Sequence, residues 1–360
     1  MNKTLKVLIA GGGTGGHIIP ALAIADELKA AHNAEVLFVG TPRGLESRLV
    51  PQAGYPLKLI EVGQLKNVSL LTRARTVLDL PLSLLRCRAL LKEFGPNAVV
   101  GVGGYASGPA MGAAILAGIP TLAFEPNAFP GLANRLVGKR VSAAAVNFAP
   151  AAEYFRNAEI TGIPVRKEFF WLRPRPLDAD PRLLVFGGSQ GARALNSYMP
   201  RIIVKLVQAV PKLKVLHQAG ARHAETTLAA YRESGADPER WQVQAYLDDM
   251  PRRFEAADLV LARSGASTVA ELAAAGKPSL LIPFPQAADD HQRKNAEVLV
   301  EADAAVMLIE AELTEEKLLA TLLELLGDRA RMQAMSERAH TLAFPDASRR
   351  IGEMVRSIAR

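Results

Sequence analysis

A single cysteine, Cys87, leaves no partner for an internal disulfide, so the fold must stand on its apolar core. The first residues carry neither the apolar length nor the small-residue cleavage site of a secretory signal, and a reducing, cytoplasmic setting is expected. Long apolar runs are missing as well. The most apolar stretch, residues 109–124, is interrupted by Gly112, Gly118 and Pro120 and falls short of the roughly 20 residues that a spanning helix needs. Short-period repeats and low-complexity tracts are absent, which excludes solenoid and linker-like readings. What remains is an ordinary globular composition: 49% of 360 residues are apolar, enough for a sizeable core divided between two domains. The net charge of +7 is uneven. Residues 1–163 hold 16 Lys and Arg against 10 Asp and Glu, whereas residues 164–360 hold 27 against 26. The basic first half is either solubility chemistry or a face drawn to anionic lipid, nucleic acid or a phosphorylated substrate.

Twice an apolar strand runs into a glycine-rich turn and then a helix, first at Lys6 to His17 and again at Arg182 to Ala192. Glycines in such turns admit positive φ and let backbone N–H groups approach a ligand, and the helix behind them favours negative charge. Phosphate or pyrophosphate is the expected ligand class. Apolar runs at residues 7–10, 36–39 and 98–102, with further strands at 120–124 and 143–146, alternate with helical stretches such as 18–31, the rhythm of parallel α/β sheets. The second half repeats it with strands at 183–186, 215–218, 243–245, 259–262 and 279–283. The segment 154–175 carries Gly162, Pro164 and Pro174, and a linker near residue 163 is the natural boundary. The expected division is 1–163 and 164–343, with a terminal helix within 344–360 packing back on the first domain.

Several motifs admit two readings. Gly11 to Gly16 satisfies G-x-G-x-x-G, but the second strand closes on Gly40-Thr41-Pro42 with no carboxylate for a dinucleotide ribose, so no nicotinamide or flavin cofactor is expected. His17 lies at a helix N-terminus whose dipole disfavours the imidazolium; it is either a proton acceptor or a packing residue. Thr268-x-x-Glu271 reads as a capping box, or as an anion site followed by a Glu that accepts both hydroxyls of a ribose. Asp289-Asp290-His291 is too small a cluster to assign a metal, Gln292 beside it is a polar sugar contact, and Asp178-x-Asp180 is a solvated loop. Residues 66–94 mix Leu70, Leu71, Val77, Leu78, Leu82, Leu84, Leu85, Leu90 and Leu91 with Lys66, Arg73, Arg75, Arg86, Arg88 and Lys92. They form either a basic amphipathic membrane surface or a pair of core helices broken near Pro81.

Taken together, Gly12 to His17, Gly103-Gly104-Tyr105 with Gly108-Pro109, Glu125-x-Asn127, Gly162-x-Pro164-Val165-Arg166, Gly187 to Ala192, Tyr246 to Met250, Arg263 to Ala266 and His291-Gln292-x-x-Asn295-Ala296 resemble the MurG family. The match runs in order over nearly the whole chain. Ile163, Phe124, Pro126 and Gln286 depart from the residues common in that family, which are Asn, His, Gln and His.

The resemblance implies two Rossmann-like, doubly wound α/β domains facing a cleft, the B-type glycosyltransferase fold. It implies inverting transfer of N-acetylglucosamine from its UDP donor to the C4 hydroxyl of the muramoyl sugar of lipid I, giving lipid II for peptidoglycan. Donor contacts fall on Ser189, Leu247, the Ala266, Ser267, Thr268, Val269 and Ala270 helix start, Glu271 for the ribose, Arg166 and Gln292, with Thr14, Gly15, Gly16 and Asn127 from the first domain. Gly103, Gly104 and Tyr105 would line the acceptor diphosphate site. His17 is the first candidate for general base and Glu125 the second. No metal or cofactor is expected, because oriented amides and a helix dipole can stabilise the leaving diphosphate. The resemblance places the protein peripherally on the cytoplasmic face of the inner membrane, against anionic lipid. Other cell-wall synthesis proteins are candidate partners, and nucleic acid is not. Within the same fold, a glycolipid glycosyltransferase, a UDP-N-acetylglucosamine epimerase or a non-catalytic sugar-nucleotide-binding subunit are the alternatives.

Overall fold

A computed structural model of the chain describes residues 4–42, 44–62, 70–176, 179–188 and 190–360, with the backbone alone from 70 to 80. It divides into two compact units, Met1–Pro164 with Asp346–Arg360, and Val165–Pro345.

In the first unit, strands β1 (Lys6–Ala10), β2 (Glu35–Gly40), β3 (Leu57–Leu59), β4 (Ala98–Gly101), β5 (Thr121–Glu125), β6 (Ala143–Val146) and β7 (Ala158–Ile160) form a parallel sheet in the order β3-β2-β1-β4-β5-β6-β7. Helices α1 (Gly15–His32), α2 (Glu46–Gln52), α3 (Leu70–Phe94), α4 (Ser107–Leu116), α5 (Leu132–Val137) and α6 (Ala149–Ala152) connect them. Val7 pairs with Val36 on one side and Ala98 on the other, and residues 7–10 and 36–39 are buried throughout. A parallel strand covered on both faces carries a continuous apolar run rather than an alternating one, which is why these strands are legible. α1 buries Ile18, Ala21, Ile24, Ala25 and Leu28 as one stripe. It is closed by Asn33 in the left-handed region, whose N–H returns to the Leu28 carbonyl. Helix Ala347–Ile358 packs against α1 with Ile351 and Val355 buried, and Arg350 pairs with Glu159 of β7 at 2.6 Å.

The second unit has strands β8 (Arg182–Phe186), β9 (Lys214–Gln218), β10 (Trp241–Gln244), β11 (Leu259–Ala262), β12 (Ser279–Leu281) and β13 (Ala305–Met307), parallel in the order β10-β9-β8-β11-β12-β13. Its helices are α7 (Arg193–Ala209), α8 (Ala224–Glu233), α9 (Met250–Ala256), α10 (Ala266–Ala275), α11 (His291–Glu301), α12 (Glu315–Gly327) and α13 (Arg329–Thr341).

In each sheet the chain works outward from one strand, then returns to that strand's other side. The reversal lies between β1 and β4 in the first unit and between β8 and β11 in the second. Such switch points open a crevice at the carboxyl ends of the strands, and both glycine turns sit there.

The segment 154–175 holds the edge strand β7 and a 3-10 turn, Lys167–Trp171, and the two units meet in sequence between Pro164 and Val165. Two readings of the sequence are corrected. The pair of helices expected to break near Pro81 is one helix of 25 residues, α3, with Pro81 inside it. α1 begins at Gly15, three residues earlier than its apolar pattern, because the glycine pair itself forms the first turn. β3, β7 and β13 were not anticipated; each has three residues, too few for a periodic signal.

Candidate functional site

In the first unit the two switch-point turns interlock. Gly12 N–H donates to the Gly103 carbonyl at 3.3 Å. A Cβ at Gly104 would overlap the Gly12 carbonyl, and the φ of Gly104 is +82°. Only glycine lets these backbones approach so closely. Thr14 is the N-cap of α1 but its side chain makes no capping bond, and the first turn contains no acid. The His17 and Ile18 N–H groups return to the Thr14 carbonyl, at 3.2 and 3.1 Å, which leaves the Gly15 and Gly16 amides facing outward at the positive end of the helix dipole. His17 is the third residue of α1, and its ring lies over the Gly103-Gly104 turn: a Cβ on Gly103 would sit 3.2 Å from His17 Nε2. Thus His17, Gly103 and Gly104, more than 80 residues apart in sequence, meet at one point. Tyr105 follows them, partly exposed.

Glu125 behaves differently. It ends β5 and is buried, and each oxygen already accepts two N–H donors: Oε1 from Asn127 N and Nδ2, at 3.0 and 3.1 Å, and Oε2 from Gly131 N and Asn134 Nδ2, at 3.1 and 3.0 Å. Burial pushes its pKa up, and these donors pull it back. Its geometry is that of a group organising the 125–134 loop, and it fixes the Asn127 amide in the same act.

Beneath the first turn sits a carboxylate that sequence reasoning passed over. Glu46, at the start of α2, accepts the Gly13 N–H at 2.6 Å and the Thr41 N–H and hydroxyl at 2.8 and 2.9 Å. The only signal for it was the glycine on either side, Gly40 and Gly44, where a side chain would run into Glu46. Glu35, the other acid near β2, is exposed and pairs with Lys6 at 3.3 Å.

In the second unit the glycine turn after β8 is braced by its neighbours. Gly191 N–H donates to the Gly188 carbonyl at 2.9 Å, Gln218 Nε2 donates to the same carbonyl at 2.9 Å, and Gly191 lies hard against Ala219. Ser189 lies outside the described residues. Across the switch point, β11 leads through Arg263-Ser264-Gly265 into α10. Arg263 is buried, donates to the Ile282 and Pro283 carbonyls at 3.0 Å and pairs with Glu310 at 2.5 Å, so it anchors the loop after β12. Ser264 Oγ donates to the Gln292 carbonyl at 2.8 Å, and Gln292 Oε1 accepts the Phe284 N–H at 3.0 Å. The Gln292 carboxamide is thereby turned so that its N–H2 end is the group left for a ligand.

The capping-box reading of Thr268-x-x-Glu271 fails. Gly265 is the N-cap of α10, so Thr268 is its third residue and Glu271 its sixth. No side chain caps this helix, and its first return bond is Val269 N–H to the Gly265 carbonyl at 3.0 Å. The Ala266, Ser267 and Thr268 amides therefore have no acceptor within the helix, and the buried Ser267 Oγ has none either. That is an anion site in the sense of a helix N-terminus. The far end is closed by Gly276 at φ +55° in a Schellman pattern, with Gly276 and Lys277 N–H groups returning to Ala273 and Leu272. Burial pushes the Glu271 pKa up to about 7, and the Arg166 guanidinium pulls it back. Arg166 itself is exposed and stacked on Phe169, 5.2 Å from the ring centroid. Leu247 is buried. Among the described residues, no cluster of His, Cys, Asp and Glu has metal-holding geometry, and no helix is long and apolar enough to cross a membrane.

The glycosyltransferase family 28 N-terminal domain matches residues 7–146, and the C-terminal domain of the same family matches residues 182–351. A relative from Anaeromyxobacter sp. (strain K) is 43% identical over 99% of this chain and 94% of its own. It is named UDP-N-acetylglucosamine--N-acetylmuramyl-(pentapeptide) pyrophosphoryl-undecaprenol N-acetylglucosamine transferase. The chain belongs to glycosyltransferase family 28, in its MurG branch. A crystal structure of MurG from Acinetobacter baumannii superposes with a TM-score of 0.83 at 30% identity, covering 98% of this chain and 99% of that one. The B-type fold of two doubly wound units is shared with that structure. A UDP-N-acetylglucosamine 2-epimerase from Neisseria meningitidis, at 13% identity and a TM-score of 0.68 over 98% of this chain and 100% of its own, shares the fold alone.

Proposed function

We propose that this chain transfers N-acetylglucosamine from UDP-N-acetylglucosamine to the C4 hydroxyl of the muramoyl sugar of lipid I, with inversion, giving lipid II. The observation that carries the reading is the full-length identity to MurG-branch relatives, joined to an uncapped α10 N-terminus ending in Glu271. The α10 amides from Ala266 onward and the Ser267 hydroxyl take the donor diphosphate, together with Ser189. Glu271 accepts the ribose hydroxyls, the Leu247 backbone reads the uracil, and Arg166 and Gln292 complete the pocket. The same reading gives donor contacts to Thr14, Gly15, Gly16 and Asn127 of the first unit.

Gly103, Gly104 and Tyr105 hold the acceptor diphosphate, and His17 takes the proton from the attacking hydroxyl. His17 is preferred to Glu125 because both Glu125 oxygens are saturated with donors. As UDP leaves, charge grows on its diphosphate where free amides and the α10 dipole already point, so stabilisation needs no reorganisation.

The membrane-facing surface is assigned to the exposed side of α3. There Ser83, Cys87 and Leu91 turn inward, while Leu82, Leu85, Arg86, Arg88 and Lys92 face out. Leu116, 82% exposed, ends the adjoining α4. An apolar strip beside cations suits anionic lipid at the cytoplasmic face of the inner membrane. Lys66 and the Arg73 and Arg75 side chains lie outside the described residues.

The test is incubation of the purified protein with radiolabelled UDP-N-acetylglucosamine and a lipid I analogue in the presence of EDTA. A labelled lipid product that needs both substrates is expected. Release of free sugar or its 2-epimer without a lipid product would refute the reading.

A further inference from the structure

The first glycine turn already holds an anion of its own. Glu46 is 1% exposed, and no described cation pairs with it; its partners are the Gly13 N–H, the Thr41 N–H and the Thr41 hydroxyl. A buried carboxylate whose described partners are all neutral donors is costly to maintain, and hydrogen bonds to it are correspondingly strong. Three glycines, Gly12, Gly40 and Gly44, line its slot, and a Cβ at any of them would overlap the Glu46 side chain. Turn, β2 exit and α2 start are thus built around one side chain.

We infer that Glu46 is a positioning residue for the proposed transfer: it occupies the strand side of the glycine turn as a resident anion, fixing where Thr14 opens α1. That fixes where His17 meets Gly103. Two consequences are chemical. The Gly13 amide is spent on the protein itself, so substrate oxygens meet only the helix-side amides of Gly15 and Gly16. The negative charge also stands ahead of the α1 N-terminus, where the helix dipole favours it. The inference rests on the assignment of His17 as base.

E46Q keeps the shape but puts an N–H2 group where one of two backbone donors needs an acceptor. Its expected effect is an about tenfold or greater fall in kcat, the scale of a base held off its productive position, with a smaller rise in donor KM, within about threefold, because the proposed uracil, ribose and diphosphate contacts lie mainly in the second unit. Loss of fold alone would instead lower active enzyme, UDP-binding capacity and turnover together. A second variant, E46G, vacates the slot for a formate ion. Added formate is expected to restore kcat in a saturable way at unchanged UDP affinity. E46Q turning over within about twofold of wild type, or folded E46G staying slow at every formate concentration, overturns the inference. Absence of transfer by the wild-type protein overturns instead the functional reading on which it rests.

Discussion

If Glu271 receives the ribose hydroxyls, nucleoside binding must displace its proton. Its pKa stands at about 7 in the unliganded protein, against an ordinary 4.5, because burial disfavours the carboxylate. Two hydroxyl donors would stabilise the ionised form and return the pKa toward the ordinary value. At pH 6 about nine-tenths of the free protein is protonated, so binding releases about 0.9 proton; at pH 8 it releases about 0.1. The affinity should therefore rise roughly tenfold between pH 6 and pH 8. Uridine is the right probe, since it lacks the diphosphate whose own titration would confuse the slope. Calorimetry in buffers of different ionisation enthalpy reads the protons directly. E271Q should bind uridine more weakly at pH 8 and show no slope. A flat wild-type profile, or a slope that survives in E271Q, refutes the assignment. The same raised pKa has an opposite effect on the unliganded fold. Between pH 4.5 and about 7 the unfolded chain holds fewer protons at this site than the folded one, so this group's contribution to stability declines as pH rises through that window.

Other outcomes follow from the geometry. H17A should lose about a hundredfold or more in kcat while calorimetric UDP affinity stays at the wild-type value; transfer at the parental rate would remove His17 as base. E125A strands four donors in the 125–134 loop and should cost about 3 kcal/mol or more of stability in denaturant titration, and a loss below about 1 kcal/mol would contradict the described network. R166A removes the charge that draws Glu271 toward ionisation, so the uridine slope should move to higher pH; an unmoved slope would show that Arg166 does not act on Glu271. Sedimentation with vesicles containing anionic lipid should carry the wild-type protein down, whereas a variant with Leu82, Leu85 and Leu116 changed to Ser should remain in the supernatant; equal sedimentation of both would take the membrane face off this surface.

The sequence made the interior strands legible because burial on both faces turns them into unbroken apolar runs, as at residues 7–10 and 183–186. It could not show β7, whose middle residue Glu159 is drawn outward to Arg350 almost two hundred positions away. The glycine turns and the helices behind them could be read from the chain itself, since that geometry is local. Glu46 and the four donors on Glu125 were hidden for the opposite reason: a lone acid has no period, and its meaning comes from backbone groups that only the fold collects. The capping-box error has the same root. Thr268 and Glu271 have the right spacing, yet Gly265 starts the helix earlier and leaves its amides unclaimed.

The helix at Ala347–Ile358 belongs to the first unit although the whole second unit intervenes in sequence. During synthesis, α1 must therefore wait with its docking face bare until nearly the entire polypeptide has left the ribosome, and an isolated N-terminal fragment would present Ile351's and Val355's vacant seats to water. A single cut between residues 164 and 165 would strip the first unit of its last helix.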